Sequence, residues 1–168
     1  MKSWLTRWLE TVVLGGGTVA LIAHLVQVAL IAWPAIERGV HARDFASYYY
    51  AVRAAEEGLD PWDKRALSRM AREDGTRRGG HPFLYPPPFL LLVRPFAELG
   101  LHDAYVQWSV LSTLCGIGAV LVLSIWWRGL HPVAPLVLFT LLACLTAAPN
   151  NLIMGQANFE VLVLAALA

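Results

Sequence analysis

Apolar and polar positions are segregated along this chain. Thr11 to Trp33 contains no Asp, Glu, Lys or Arg over 23 residues. At a rise of ~1.5 Å per residue, a helix of that length exceeds a hydrocarbon core of ~30 Å, so the run predicts a first transmembrane helix over 11–33. Ala104 to Trp127 is a second uncharged run, closed by Trp126, Trp127 and Arg128. Aromatic and basic residues are the expected edge of a span at the membrane interface, which predicts a second helix over 104–127. Val133 to Ala148 is shorter and crosses only if Pro132 and Pro149 sit in the interface; it is read as a third span. Residues 159–168 finish on the apolar VLVLAALA and read as the start of a fourth helix, so the chain is expected to be the amino-terminal part of something longer. A secretory signal peptide, suggested by Lys2 and Arg7 ahead of the first run, fits less well. The run is too long for a typical apolar region and lacks a convincing small-residue cleavage site. The pattern as a whole predicts an all-α, polytopic helical membrane protein with one large loop over 34–103.

The charged residues sharpen that reading. Outside the loop they are Lys2, Arg7, Glu10, Arg128 and Glu160; inside it acidic and basic residues balance, leaving no field of the kind that attracts nucleic acid. A nucleic-acid partner is thereby excluded, and membrane lipids are the expected surroundings. Within the loop, Asp44 can cap a helix from Phe45 to Glu57 that ends at Gly58. Asp60 to Asp63 (DPWD) reads as a turn, Lys64 to Glu73 as a short charged helix, and Asp74 to Gly80 (DGTRRGG) as a flexible or exposed link. Phe89 to Gly100 is apolar but interrupted by Arg94, Pro95 and Glu98, which suits an interfacial or re-entrant segment better than a span. Cys115 and Cys144 fall inside apolar runs and read as packing residues. Lys2 and Arg7 nearly tie with Arg38 and Arg43 under the positive-inside rule. Two spans separate the loop from Asn150–Glu160, so these two segments are expected on the same side of the membrane.

Three local patterns carry a family comparison: DFASYYYAVRAAEEGLDPWD (Asp44 to Asp63), FLYPPPFLLLVRPFAELG (Phe83 to Gly100) and GQAN (Gly155 to Asn158). In this order, with these spans between them, they resemble glycosyltransferase family 87, the bacterial polyprenyl-phosphate-mannose-dependent mannosyltransferases of the GT-C superfamily. The resemblance implies a multi-pass enzyme of the cytoplasmic membrane that moves a sugar, mannose by resemblance, to a lipid or glycan acceptor on the outer face, with inversion. The donor it implies is a lipid-linked monophosphate sugar, and the large loop would be extracytoplasmic. No cofactor is expected, and no metal site is visible in the sequence. Family members are longer than this chain, so the piece alone is expected to be inactive. Oligomeric state is not legible.

The resemblance places the family's loop aspartate at Asp44. An acceptor hydroxyl attacking an anomeric carbon needs a base, and a carboxylate can serve; helix capping by the same residue is compatible. Tyr48, one turn on, either stacks on a sugar or sits at the lipid interface. His81 is a candidate acid or hydrogen-bond donor, and Arg94 either binds a lipid phosphate or snorkels to headgroups. Gln156 and Asn158 stand where an apolar helix begins, and helix starts offer N–H groups to anions; ordinary capping by Asn158, with Glu160 in the first turn, is the alternative. Glu160 departs from the apolar residues usual there. The rival classes are a membrane transporter or lipid-handling component, in which the loop gates a path, and an inactive fragment.

Overall fold

The computed structural model describes residues 4–38, 43–76, 81–128, 136–137, 140 and 147–167, and every regular element among them is helical. α1 (Trp4–Gln27) passes through a π-helical turn, Val28–Ala32, into α2 (Trp33–Glu37). The wide turn has a local cause. Pro34 has no N–H to give, and its ring collides with the carbonyl four residues back. The backbone relaxes to an i to i−5 bond, Trp33 N–H to Val28 O, and the helix continues past the proline to Glu37. The second long helix, here α6, is Leu101–Arg128. It starts earlier than the uncharged run because Gly100 O accepts from Ala104 N at 2.9 Å and Asp103 favours the first turn. Thr11–Glu37 and Leu101–Trp126 are both long and apolar enough to cross a membrane. Val19, Leu30, Leu114 and Ile125 point their apolar side chains outward. The expected third span, 133–148, lies outside the described residues except for 136–137, 140 and 147–148.

The chain divides into two compact units. One holds residues up to Pro34, Leu111–Leu152 and Ala157–Ala168. The helix Ala147–Met154, here α7, begins on the last residues of the run read above as a third span. Pro149 is tolerated because it falls in the first turn, where an N–H has no intrahelical partner. After the turn comes α8, Asn158–Leu167, an apolar helix where one was expected. It packs on α6 through small residues: the Phe159 ring lies against Gly116, and Val163 lies near Gly118.

The other unit holds Ala35–Val110 and Ile153–Gln156. Its three loop helices are α3 (Arg43–Glu56), α4 (Lys64–Glu73) and α5 (Pro88–Ala97), with α3 packed on both of the others. Gly58 ends α3 in the left-handed region at φ 73°, with Gly58 N to Ala55 O and Leu59 N to Ala54 O completing the cap. Gly75 repeats this after α4, with Gly75 N to Arg72 O and Thr76 N to Ala71 O. Asp74 to Thr76 is thus a bonded cap, with Asp74 and Gly75 exposed, and residues 77–80 of the expected link lie outside the described residues. The α4 start is set by Asp63, whose carboxylate accepts from Arg65 N at 2.8 Å. Ala66, Leu67, Met70 and Ala71 turn inward, while Lys64, Arg65, Arg69 and Arg72 lie toward solvent. The prolines of YPPP enter α5 directly: Pro88 is its first residue, and Pro86 O and Pro87 O accept from Phe89 N and Leu90 N. A fixed φ near −65° suits a first helical turn.

α3 and α4 are joined by a buried phenol. Tyr50 is fully buried, its hydroxyl meets Thr76 Oγ1 at 3.1 Å, and Thr76 in turn donates to Ala71 O. Burial pushes the Tyr50 phenol above its usual value of 10.0. A raised folded value contributes stability that is present below the unfolded value and is lost as pH rises through the folded one. Alkaline unfolding of the wild type should therefore steepen above about pH 10, and Tyr50→Phe should flatten it. Thermal unfolding in detergent across that range, compared between the two proteins, is the measurement; equal slopes would remove Tyr50 from the account.

Candidate active site

The site is assembled around the start of α3. Phe45 is completely buried, with ring centroids 5.6 Å from Trp108, 6.0 Å from Tyr105 and 6.4 Å from both Tyr48 and Tyr49. Pairs at this spacing each add ~0.5–1.5 kcal/mol beyond area burial, so the cluster fixes where the first turn of α3 lies. Asp44 stands in that turn, partly exposed, beside the anchored Phe45. Its backbone carbonyl accepts from Ser47 Oγ at 2.7 Å. The helix begins one residue before Asp44, so the carboxylate sits within the first turn, where helix N–H groups favour negative charge.

The GQAN segment reaches the same place. Tyr105 Oη donates to Ile153 O at 2.7 Å, which ties the end of α7 to α6. Gly155 follows in the left-handed region at φ 69° and lies flat on Phe45; a Cβ there would stand 2.5 Å from Phe45 Cβ and 3.3 Å from Phe45 N. Only glycine meets both conditions. The turn carrying Gln156 therefore abuts the turn carrying Asp44, two stretches far apart in sequence.

The remaining sequence candidates are placed differently. Tyr48 is 2% exposed. Phe45, Phe83, Tyr85, Phe89 and Trp108 surround its ring, and its hydroxyl donates to Tyr85 Oη at 3.1 Å. Tyr48 is a core residue of this aromatic cluster, away from the surface where a sugar or the lipid interface was expected. Arg94 is exposed and pairs with Glu56 at 3.3 Å. Glu56 is the last residue of α3 and Asp44 the second, so about 18 Å of helix separates them; the structure does not bring Arg94 to Asp44. His81 is exposed on the stretch of loop leading to Phe83. Asn158 opens α8, but its amide donates to Asn151 Oδ1 at 2.8 Å, and the carbonyl of Ala157 accepts from Val161 N in the first turn. Asn158 thus ties α7 to α8. Among the described residues no group of three or more His, Cys, Asp or Glu is placed to hold a metal ion.

Residues 83–168, just over half of the chain, match the model for glycosyltransferase family 87. The chain belongs to glycosyltransferase family 87. The family match takes in YPPP, α5, α6 and GQAN, and starts after Asp44. Asp44 is tied to the matched part by packing, through α3 on α5 and Phe45 under Gly155. No curated protein sequence and no solved structure matches the chain.

Sequence reasoning missed several members of this family-87 chain's interior. Trp108 is fully buried at the centre of the aromatic cluster, and its indole N–H has no partner among the described residues. The signal was the Tyr105–Trp108 pair, three apart and so on one helix face. His24 and Gln27, one turn apart on α1, also hold buried side-chain atoms without a partner among the described residues. Polar groups inside an otherwise apolar run are the signal there.

Proposed function

We propose that this chain forms membrane-embedded structure of a GT-C type glycosyltransferase that takes its sugar from a polyprenyl-phosphate donor. The observation that carries the reading is the contact of Gly155 with Phe45, which seats the GQAN turn against the first turn of α3. It supports a reading in which the Asp44 carboxylate shares a site with a turn whose backbone and Gln156 amide can donate hydrogen bonds. Those are the two needs of the reaction. Asp44 takes the proton of an acceptor hydroxyl as it attacks the anomeric carbon, and donors aimed at the departing phosphate stabilise its charge. Attack from the face opposite the phosphate inverts the anomeric centre. Asn158 acts by holding the α7–α8 turn through Asn151. The two long apolar helices suit the bilayer that a polyprenyl donor occupies, the cytoplasmic membrane with the loop helices on its outer side; mannose as the sugar follows from family resemblance.

The test is transfer by the full-length gene product in liposomes, with polyprenyl-phosphate mannose or GDP-mannose as the donor. Transfer from the lipid-linked donor and none from the nucleotide sugar is the expected result. Transfer from the nucleotide sugar alone would overturn the donor assignment.

A further inference from the structure

Glu160 is a charged-type residue in the first turn of an apolar helix, yet it is 3% exposed. The Ser112 hydroxyl on α6 donates to its Oε1. Its Oε2 is buried and has no hydrogen-bond partner among the described residues. Next to it in α8, Phe159 is seated on Gly116 and Val163 lies near Gly118. No ion pair reaches Glu160 among the described residues, and the titratable side chain its charge would reach is Cys115, on α6 one turn from Ser112.

A carboxylate in this place keeps the Ser112 hydroxyl and its own backbone N–H in exchange for the whole of its hydration. Buried charges normally demand a counter-charge or several hydrogen bonds, and here, among the described residues, there are one hydroxyl and the residue's own N–H. The partial positive charge of a helix start acts in the opposite sense, but it is about half an elementary charge shared over several N–H groups. A proton on Oε2 removes the charge outright and leaves a single unmet hydroxyl, a much smaller penalty. Ser112 can keep donating to Oε1 meanwhile, since a protonated carboxyl retains that acceptor.

We propose that the Ser112–Glu160 pair is a proton-binding site, with Glu160 carried as the neutral acid at neutral pH and open to modification by a lipid-soluble carbodiimide. In that reaction the carboxyl proton passes to one carbodiimide nitrogen while the carboxyl oxygen bonds to the central carbon. The O-acylisourea so formed rearranges to a stable N-acylurea, and nothing leaves. A carboxylate lacks the proton the addition needs, so labelling reports the neutral form. This site rests on burial and hydrogen bonding alone and is independent of the transfer reading.

The full-length protein in lipid nanodiscs is treated with dicyclohexylcarbodiimide at neutral pH and mapped by peptide mass spectrometry. The expected result is an adduct on Glu160, with the exposed loop carboxylates Asp60 and Asp63 unlabelled. Mapping names the residue in the wild-type protein, so the result does not depend on a variant folding. An adduct on Glu160 that appears only in acid, in step with Asp60 and Asp63, overturns the proposal. If no adduct forms at any pH, the infrared spectrum at neutral pH decides: a protonated-carboxyl band absent from Glu160→Gln supports the site, and a spectrum without that band overturns it. Glu160→Gln should leave sugar transfer within about twofold of wild type, since the amide carries no charge and still accepts from Ser112.

Discussion

Asp44→Asn is expected to lower the initial rate of sugar transfer by roughly 10²- to 10⁴-fold, the usual contribution of a positioned general base. The substitution isolates chemistry from structure. Asn is as well suited as Asp to a helix start, so the variant loses at most a few tenths of a kcal/mol from the helix dipole. The Phe45 anchor is untouched, because the ring contacts that fix the turn belong to its neighbours. Expression, insertion and donor binding should therefore change little while turnover collapses. Asp60→Asn is the control: Asp60 Oδ1 accepts from Trp62 N at 2.9 Å in the loop turn, a role the amide oxygen retains, and its activity should stay near wild type. Near-native turnover in Asp44→Asn would withdraw the base from Asp44 and favour a transporter or lipid-handling role, in which the loop tolerates neutralisation.

The second large effect belongs to Gly155→Ala, with a loss of ~2–5 kcal/mol of stability, the sum of two independent costs. An alanine at φ 69° carries ~1–2 kcal/mol of left-handed strain, and its methyl would enter a space already filled by Phe45 Cβ at 2.5 Å, an overpacking of ~1–3 kcal/mol. Gly58 and Gly75 provide the comparison, because both have φ 73° and a methyl on either would meet nothing within 4 Å. Gly58→Ala and Gly75→Ala should cost only the strain, ~1–2 kcal/mol. Thermal unfolding of the three variants in one detergent reads the difference directly. The transfer rate of Gly155→Ala should fall further than its folded fraction, since the substitution pushes the GQAN turn off the Asp44 turn. Equal destabilisation in all three would mean that the contact with Phe45 is not made.

The long elements of this protein were legible in the sequence because they rest on local physics. An uncharged run of sufficient length makes α1 or α6 wherever it occurs, and Gly58, Asp63 and the Lys64–Glu73 pattern set helix ends through bonds a few residues apart. The first helix runs on past Pro34 through a π-helical turn, and Pro149 falls in the first turn of α7. GQAN and Asp44 could be named as candidates, but nothing local says that they meet. That was decided by tertiary packing: Phe45 buried among Tyr105 and Trp108, Tyr105 bonded to Ile153, and a glycine flat enough to lie on Phe45. Packing also drew Tyr48 into the aromatic core, held Arg94 at the far end of α3 and closed Glu160 against Ser112. A side chain's type states which interactions it can make, and only the elements folded around it settle whether it meets water, a ring or a single hydroxyl.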